Sequence, residues 1–352
     1  MVQDLWQNEF SRIQEQARDL LLQKINTGLY KQIENSCVIC KISKSTIPQS
    51  EKVIAKVDRY GIPNRTVMCG VCGMLRTDPV FRESDYADFY QSHYRELYSG
   101  AFEASEDFFD EQLRRGAKIR KLLNNYVSIE GKIVVEVGTG AGGLLRGVIG
   151  DDAFGIGCDY GFDYLKFAQA KALSVLQGSI NSLASNSTDI LIYSHVLEHI
   201  ANPAIEISEM HRVLKNNGLV LVIVPGLFSI HRHYGGRLSQ YLQSAHLQHY
   251  TREHLRKVMC NGGFVERYGT QAVTAIFTKK SDLITQYYFL PTNLRNKIKI
   301  YFAVMNVAKF ALSAMLYFYL KFRFLSLIRP YLSRKSTARK PNTERYKLVR
   351  RS

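Results

Sequence analysis

Lys132-Ile-Val-Val-Glu136-Val-Gly138-Thr-Gly140-Ala-Gly142-Gly143-Leu-Leu-Arg146 is the stretch on which the fold turns. Ile133 to Val137 is a short apolar run of the kind that forms a buried strand. It breaks into glycines at 138, 140 and 142, and a helix is expected from about Gly143. A strand that ends in glycines and restarts as a helix is a turn able to cradle a nucleotide. Glycine supplies the positive φ and lets a ligand approach the backbone. Plain loops share the pattern, so the neighbouring segments must decide what it binds.

Downstream the pattern alternates. Ala153 to Cys158 reads as a strand ending at Asp159, and Phe162 to Ala172 as a helix. Ser174 to Gln177 and Asp189 to Tyr193 read as strands, and Pro203 to Leu214 as a helix closed by Asn216-Asn217-Gly218. Leu219 to Val224 is a strand stopped by Pro225-Gly226, Thr251 to Asn261 a helix, and Phe264 to Thr270 and Val273 to Phe277 two final strands. Strand and helix in alternation predict an α/β fold. This is a Rossmann-like, doubly wound, mostly parallel seven-stranded sheet, with one of the last two strands antiparallel. A helix from Glu106 to about Tyr126 leads in. Ligands of such sheets sit at the carboxyl ends of the strands. The glycine turn, Asp159 and the segment after Tyr193 all fall there. Asp159, 19 residues after Gly140, is placed to accept hydrogen bonds from ribose hydroxyls.

Before this region stand Cys37-Val-Ile-Cys40 and Cys69-Gly-Val-Cys72-Gly73. Two thiolate pairs, each two residues apart, suit a closed four-cysteine structural zinc site, with redox or unliganded thiols as the alternative. Residues 2 to 34 carry helical apolar spacing and read as one or two docking helices. Residues 58 to 100 interleave Tyr, Arg and His, as in Tyr94-Arg95-Glu96-Leu97-Tyr98-Ser99-Gly100. Such a stretch lines a polar ligand cleft or packs as a loop over its neighbour.

These motifs together resemble class I S-adenosylmethionine-dependent methyltransferases over residues of about 130 to 280. Glu136-Val-Gly138-Thr-Gly140-Ala-Gly142 matches the first motif and Asp159 the ribose-binding acid. Ser194-His195-Val196-Leu197-Glu198-His199-Ile200 matches the run after the fourth strand. Arg212 to Leu219, His246-Leu-Gln-His249-Tyr250-Thr251 and Gly263-Phe264 match the later signals. The resemblance implies S-adenosylmethionine held by Glu136, Gly138, Gly140, Gly142, Asp159, Ser194 and His195. Ser179-Ile180-Asn181 stands where an acid usually faces the adenine amino group, which leaves Ser179 at that end. The paired cysteines followed by a Tyr-rich stretch resemble methyltransferases of surface-polysaccharide and sugar pathways. That likeness implies a sugar or glycan acceptor, with another small molecule and a packed C-terminal helix as the alternative. Relatives acting at a sugar carbon have a large C-terminal domain, whereas only about 70 residues follow the sheet here, so O- or N-methylation is implied.

A hydroxyl acceptor loses its proton as it attacks, and histidine titrates near working pH. His195 is the first candidate base and His199 the second. His246 and His249 could shape the acceptor cleft. Their spacing of three also suits a metal pair, for which the sequence offers no third ligand.

The net charge of +16 is uneven. Residues 291 to 352 hold 15 Lys+Arg and one acid, Glu344, which leaves 32 Lys+Arg against 30 acids in the rest. A nearly neutral globular part argues against nucleic acid as substrate, because its groove should itself be basic. Residues 301 to 320 are apolar but carry Lys309 mid-way, which suits a helix lying on an anionic membrane through residues 299–340, or one docked on the sheet domain. The first 30 residues contain Asp4, Glu9, Glu15 and Asp19 and no apolar run typical of a secretory leader. The expectation is a cytoplasmic protein, peripheral on the inner face of the membrane, with reduced thiols. The predicted organisation is a helical segment (1–34), the zinc-binding module with its Tyr-rich linker (35–105) and the cofactor-binding domain (106–280). A helical basic extension (281–332) and a basic tail (333–352) follow.

Overall fold

Ser11 opens the first helix with a capping box. Its hydroxyl accepts from the Gln14 amide, and the Gln14 side chain accepts from the Ser11 amide. Helix α1 (Arg12–Asn26) buries Ala17 and Leu21, one turn apart, against a cluster that includes Tyr30, Tyr60, Phe81, Tyr86 and Phe89. The computed structural model describes residues 10–47, 50–101, 103–280 and 288–305. The start of the expected N-terminal helical segment, most of the 301 to 320 segment and the basic tail lie outside the described residues. The chain divides into two units, Met1–Ile298 and Lys299–Ser352. Residues 299–305 of the second are helical. Among the described residues no helix is long and apolar enough to cross a membrane.

Next in the first unit come β1 (Gln32–Ile33), β2 (Glu51–Val57), β3 (Pro63–Cys69), β4 (Leu75–Thr77) and β5 (Val80–Phe81). Strands β2, β3 and β4 pair antiparallel in sequence order, while β1 pairs with β5. Helices α2 (Glu83–Ser92) and α3 (Tyr94–Ser99) follow. The Tyr-rich stretch is thus helical rather than a loop. Its rings supply the reason, because Tyr86, Phe89, Tyr90 and Tyr94 pack on one another with centroids 5.3 to 6.2 Å apart.

Helix α4 (Glu106–Leu123), capped by Ser105, leads to β6 (Ile133–Val137), α5 (Gly143–Ile149), β7 (Phe154–Asp159), α6 (Phe162–Ala170) and β8 (Ser174–Gln177). Then come β9 (Thr188–Ser194), α7 (Pro203–Val213), β10 (Leu214–Ile223), α8 (Ile230–His233), α9 (Leu238–Tyr241), β11 (Gln248–His249), α10 (Arg252–Asn261), β12 (Phe264–Gly269) and β13 (Thr274–Lys279). Seven of these strands form one sheet in the order β12-β13-β10-β9-β6-β7-β8. The five from β10 to β8 run parallel, and β13 is antiparallel to both its neighbours. This is the α/β, mostly parallel seven-stranded architecture expected from the sequence. One strand begins earlier than expected. β10 starts at Leu214, and the Asn216-Asn217-Gly218 turn sits inside it as an irregularity between Leu214 and Leu219. Asn217 takes φ 62°, a conformation that Asn tolerates.

Close packing of α4 on α5 depends on missing side chains. A Cβ on Gly147 would stand 2.2 Å from the Leu113 carbonyl oxygen, and one on Gly116 2.1 Å from that of Leu144. The core is continuous with the N-terminal module. Cys37, Cys69, Cys72 and Met74 share one buried cluster with Val135, Leu191, Val222, Tyr250 and Met259. The link is also hydrogen-bonded. β11, which lies beyond β10 in sequence, pairs antiparallel with β4, and so joins the sheet of the module. The cysteine module and the seven-stranded sheet thus belong to the one unit Met1–Ile298.

Candidate active site

The turn after β6 takes the form its glycines allow. Gly138, Gly140 and Gly142 have φ of 70°, 54° and 81°. Glu136 lies beneath it, buried, accepting from the Thr139 hydroxyl at 2.8 Å. Burial pushes its carboxyl up to about 8. Asp159, at the end of β7, is also largely buried. One carboxylate oxygen accepts from the Gly140 amide at 2.8 Å and from Arg95 at 3.3 Å, the other from the Gly161 amide at 2.8 Å. Arg95, from α3, lies over the Tyr164 ring at 4.3 Å, and a Cβ on Gly140 would meet its guanidinium at 3.3 Å. At the next strand end, Ser179 faces Glu206 at 3.4 Å, and Glu206 also accepts from the Tyr193 hydroxyl.

The segment after β9 crosses the glycine turn. A Cβ on Gly138 would sit 2.6 Å from a Val196 methyl. His195 adopts φ 58°, a strained conformation for such a residue, and its amide donates to the Ile223 carbonyl at 2.7 Å. Its side chain is 45% exposed, and Nδ1 lies 3.4 Å from Oε1 of Glu198. Glu198 itself is buried. Nε2 of His199 and Nε2 of His246 each lie 3.9 Å from the same oxygen. The His199 ring is enclosed by those of Tyr90, Tyr94 and His246 at 5.0 to 6.0 Å. Burial lowers the pKa of His199. His246 is held well below the usual range by burial and then by His199 and His249.

His246 is held in place from the N-terminal module. The Thr77 hydroxyl donates to the His246 carbonyl at 2.9 Å, and the Thr77 amide to that of Leu247 at 3.0 Å. The Leu247 amide in turn donates to the Glu198 carbonyl at 2.8 Å. Asp58 accepts from both the amide and the hydroxyl of Ser244, at 2.9 and 2.5 Å. The His249 ring meets that of His246 edge-on, with centroids 6.2 Å apart, but His249 is not among the ligand atoms that gather with His246. It also packs on Tyr241, and burial drives its pKa to about 3. The ligand atoms that gather around His246 are those of Glu198 and His199.

Cys37, Cys40, Cys69 and Cys72 come together, with every sulfur within 4.8 Å of the others and Cys37 Sγ 3.5 Å from Cys72 Sγ. Sulfurs on a tetrahedral zinc at about 2.3 Å stand about 3.8 Å apart, so the set fits that ion. Two similar turns present the thiols. The Lys41 amide donates to the Cys37 carbonyl at 2.7 Å, and the Gly73 amide to that of Cys69 at 3.0 Å. Lys41 and Gly73 both take positive φ, 59° and 81°. Hydrogen bonding, from Cys37 first, holds the Cys69 thiol far below its ordinary range. His254 of α10 contacts the Cys72 carbonyl through Nε2 at 3.2 Å, tying this cluster to the sheet domain.

The methyltransferase domain family matches residues 109–266. That match spans β6 to β12, including the glycine turn, Asp159 and the His195–His199 run. Residues 109–266 are a methyltransferase domain, and the protein is a methyltransferase. No curated protein matches the chain. Among solved structures, a methyltransferase from Thermotoga maritima is similar at 17% identity over 53% of this chain and 98% of its own, with a TM-score of 0.42. One from Mesorhizobium loti shows 15% identity over 47% and 98%, with a TM-score of 0.39. One from Aquifex aeolicus shows 17% over 47% and 96%, with a TM-score of 0.37. At these values they add nothing to what the sheet order already shows.

Two groups in the methyltransferase were not singled out from the sequence. Arg95 reaches Asp159 from a helix outside the sheet domain, and its one signal was an arginine set among tyrosines. Asp58 fixes the segment that carries His246, and nothing local in Asp58-Arg59-Tyr60-Gly61 signals that.

Proposed function

We propose that this methyltransferase transfers a methyl group to an oxygen or nitrogen of a sugar or glycan intermediate. The observation that carries this reading is the Tyr-rich α3 beside the glycine turn, where Arg95 reaches Asp159 and Tyr98 is half-exposed. Aromatic faces beside polar groups suit a sugar ring, which has apolar faces and a polar rim. The resemblance of the paired cysteines and Tyr-rich stretch to sugar methyltransferases supports the same acceptor class.

Gly138, Gly140 and Gly142 supply the positive φ that the turn beside the cofactor requires, and Asp159 offers a carboxylate for its ribose. Glu136 acts from below by bracing Thr139. S-adenosylmethionine supplies a methyl group on a sulfonium, a leaving group that needs no acid. The protein's work is alignment of the acceptor and removal of its proton. His195 is the base in this reading. It is the exposed member of the histidine cluster, and Glu198 lies beside its Nδ1. His199, enclosed by tyrosines, positions the cluster. The four cysteines hold a structural zinc. Residues 299–340 bring the enzyme to an anionic membrane surface on its cytoplasmic side. Pelleting with anionic liposomes that survives deletion of residues 299–352 would remove that last element.

The test is transfer of a labelled methyl group to a panel of nucleotide-linked and lipid-linked sugars, beside calorimetric titration with S-adenosylmethionine. The wild type should bind the cofactor, with Asp159→Ala at least about tenfold weaker. Product should appear on sugar acceptors and be lost in His195→Ala. Cofactor binding with no sugar in the panel methylated would refute the acceptor class.

A further inference from the structure

Glu198 poses a problem that methyl transfer alone does not answer. Its side chain is 1% exposed, yet neither carboxylate oxygen has a hydrogen-bond partner among the described residues. Burying a carboxylate without partners is unfavourable, so the site calls for a counter-charge. Imidazole nitrogens from three histidines stand 3.4 to 3.9 Å from Oε1, close but not bonded. His199 Nδ1 is likewise buried and without a partner. A ligand atom from each of Glu198, His199 and His246 lies within 4.8 Å of the other two.

We infer that Glu198, His199 and His246 form a second metal site, distinct from the four cysteines, that binds a divalent first-row transition ion. Two imidazoles and one carboxylate are the donor set such ions take. Adjacent ligands about 2.1 Å from an ion lie about 3 Å apart, so closing the observed gaps takes under about 1 Å of side-chain movement. The backbone is already set for it. Glu198 and His199 share one short turn, Leu197–His199. The Leu247 amide bonds the Glu198 carbonyl, so the segment carrying His246 is fixed to that turn. Thr77 fixes it from the other side.

Three protein ligands leave coordination positions open. The site stands beside the glycine turn, which the same segment crosses at Val196. Resting on the sugar reading above, the exposed member of the cluster, His195 beside Glu198, marks the side from which an acceptor hydroxyl would reach the ion. An ion there lowers the pKa of a hydroxyl it binds. The oxygen then forms its bond to the methyl carbon as the carbon–sulfur bond breaks. Sulfur keeps the electron pair, and the hydroxyl proton passes to His195.

The test uses Mn2+, which thiolates bind poorly. The full-length, zinc-loaded protein is titrated with Mn2+, and free ion is read by electron paramagnetic resonance. One Mn2+ per chain is expected. Glu198→Gln and His246→Ala should each bind at least about 100-fold more weakly, with zinc content unchanged and near-ultraviolet circular dichroism as in the wild type. A wild type that binds no Mn2+ at millimolar concentration overturns the proposal, as does equal binding in both variants. A water-bridged hydrogen-bond network would give the first result. Should a variant fail to fold, the wild-type titration decides alone. The readout needs no acceptor, so a bound Mn2+ with no methylated sugar would refute the sugar reading and leave the metal site standing.

Discussion

Replacing Asp58 by alanine tests whether the N-terminal module positions the acceptor side of the site. The carboxylate takes four hydrogen bonds, from the amides of Tyr60 and Ile62 at 2.9 Å and from the amide and hydroxyl of Ser244 at 2.9 and 2.5 Å. The first two belong to its own turn, which can relax. The Ser244 donors belong to a buried segment fixed at both ends and would lose their partner. Each buried donor left unmade costs about 1 to 3 kcal/mol, or about 2 to 6 kcal/mol for the pair. Relief of a buried charge returns part of this, since burial raises the Asp58 pKa. The expected loss is about 3 kcal/mol, a large share of a typical domain's stability of about 5 to 15 kcal/mol. Urea unfolding followed by far-ultraviolet circular dichroism measures it. Hydrogen exchange at the Leu247 amide gives a local readout, because that amide bonds the Glu198 carbonyl. Exchange there should quicken, while affinity for S-adenosylmethionine stays within about twofold. A variant within about 0.5 kcal/mol of wild type with unchanged Leu247 exchange would show that Asp58 does not hold this segment.

Three further outcomes are expected. Gly147→Ala should destabilise by about 1 to 3 kcal/mol, because its methyl group would meet the Leu113 carbonyl oxygen; thermal unfolding at the wild-type midpoint would refute the packing argument. Glu136 has its pKa raised from 4.5 to about 8, so its contribution to stability is full below 4.5 and declines as pH rises to about 8. At about 1.4 kcal/mol per pH unit this amounts to no more than about 5 kcal/mol. Glu136→Gln, which keeps an acceptor for Thr139, should flatten the dependence of melting temperature on pH between 5 and 8, and an unchanged slope would count against it. Metal analysis should find one zinc per chain in the wild type, the state used for the Mn2+ titration. The content should fall by one in Cys69→Ser, and no fall would remove the four-cysteine site.

The sheet was legible because its signals are local. A glycine turn, an acid at the next strand end and a Gly-Phe start to a late strand each occupy a few consecutive residues. The cysteine pairs were legible for the same reason, and their convergence follows from chemistry that needs all four. The histidine cluster was not legible in this way. Spacing offered His246 with His249, but the ligand atoms that gather around His246 are those of Glu198 and His199, on a different loop. The length of the Tyr-rich helices was hidden as well, since their rings are satisfied by one another rather than by a periodic apolar face. Arg95 and Asp58 act across long sequence separations, where no local pattern can announce them.

The pairing of β4 with β11 also has a consequence for how the chain is made. Thr77 and His246 are 169 residues apart. The ribosome releases the cysteine module first, with one edge of β4 open. At about 5 to 20 residues per second, the strand that closes this edge arrives about 8 to 34 s later. An open strand edge recruits other chains for as long as it lasts. Slowed elongation between these segments should therefore lower soluble yield without any change in the finished enzyme. The contact that seats His246 in the folded protein thus also sets how long the nascent chain is exposed.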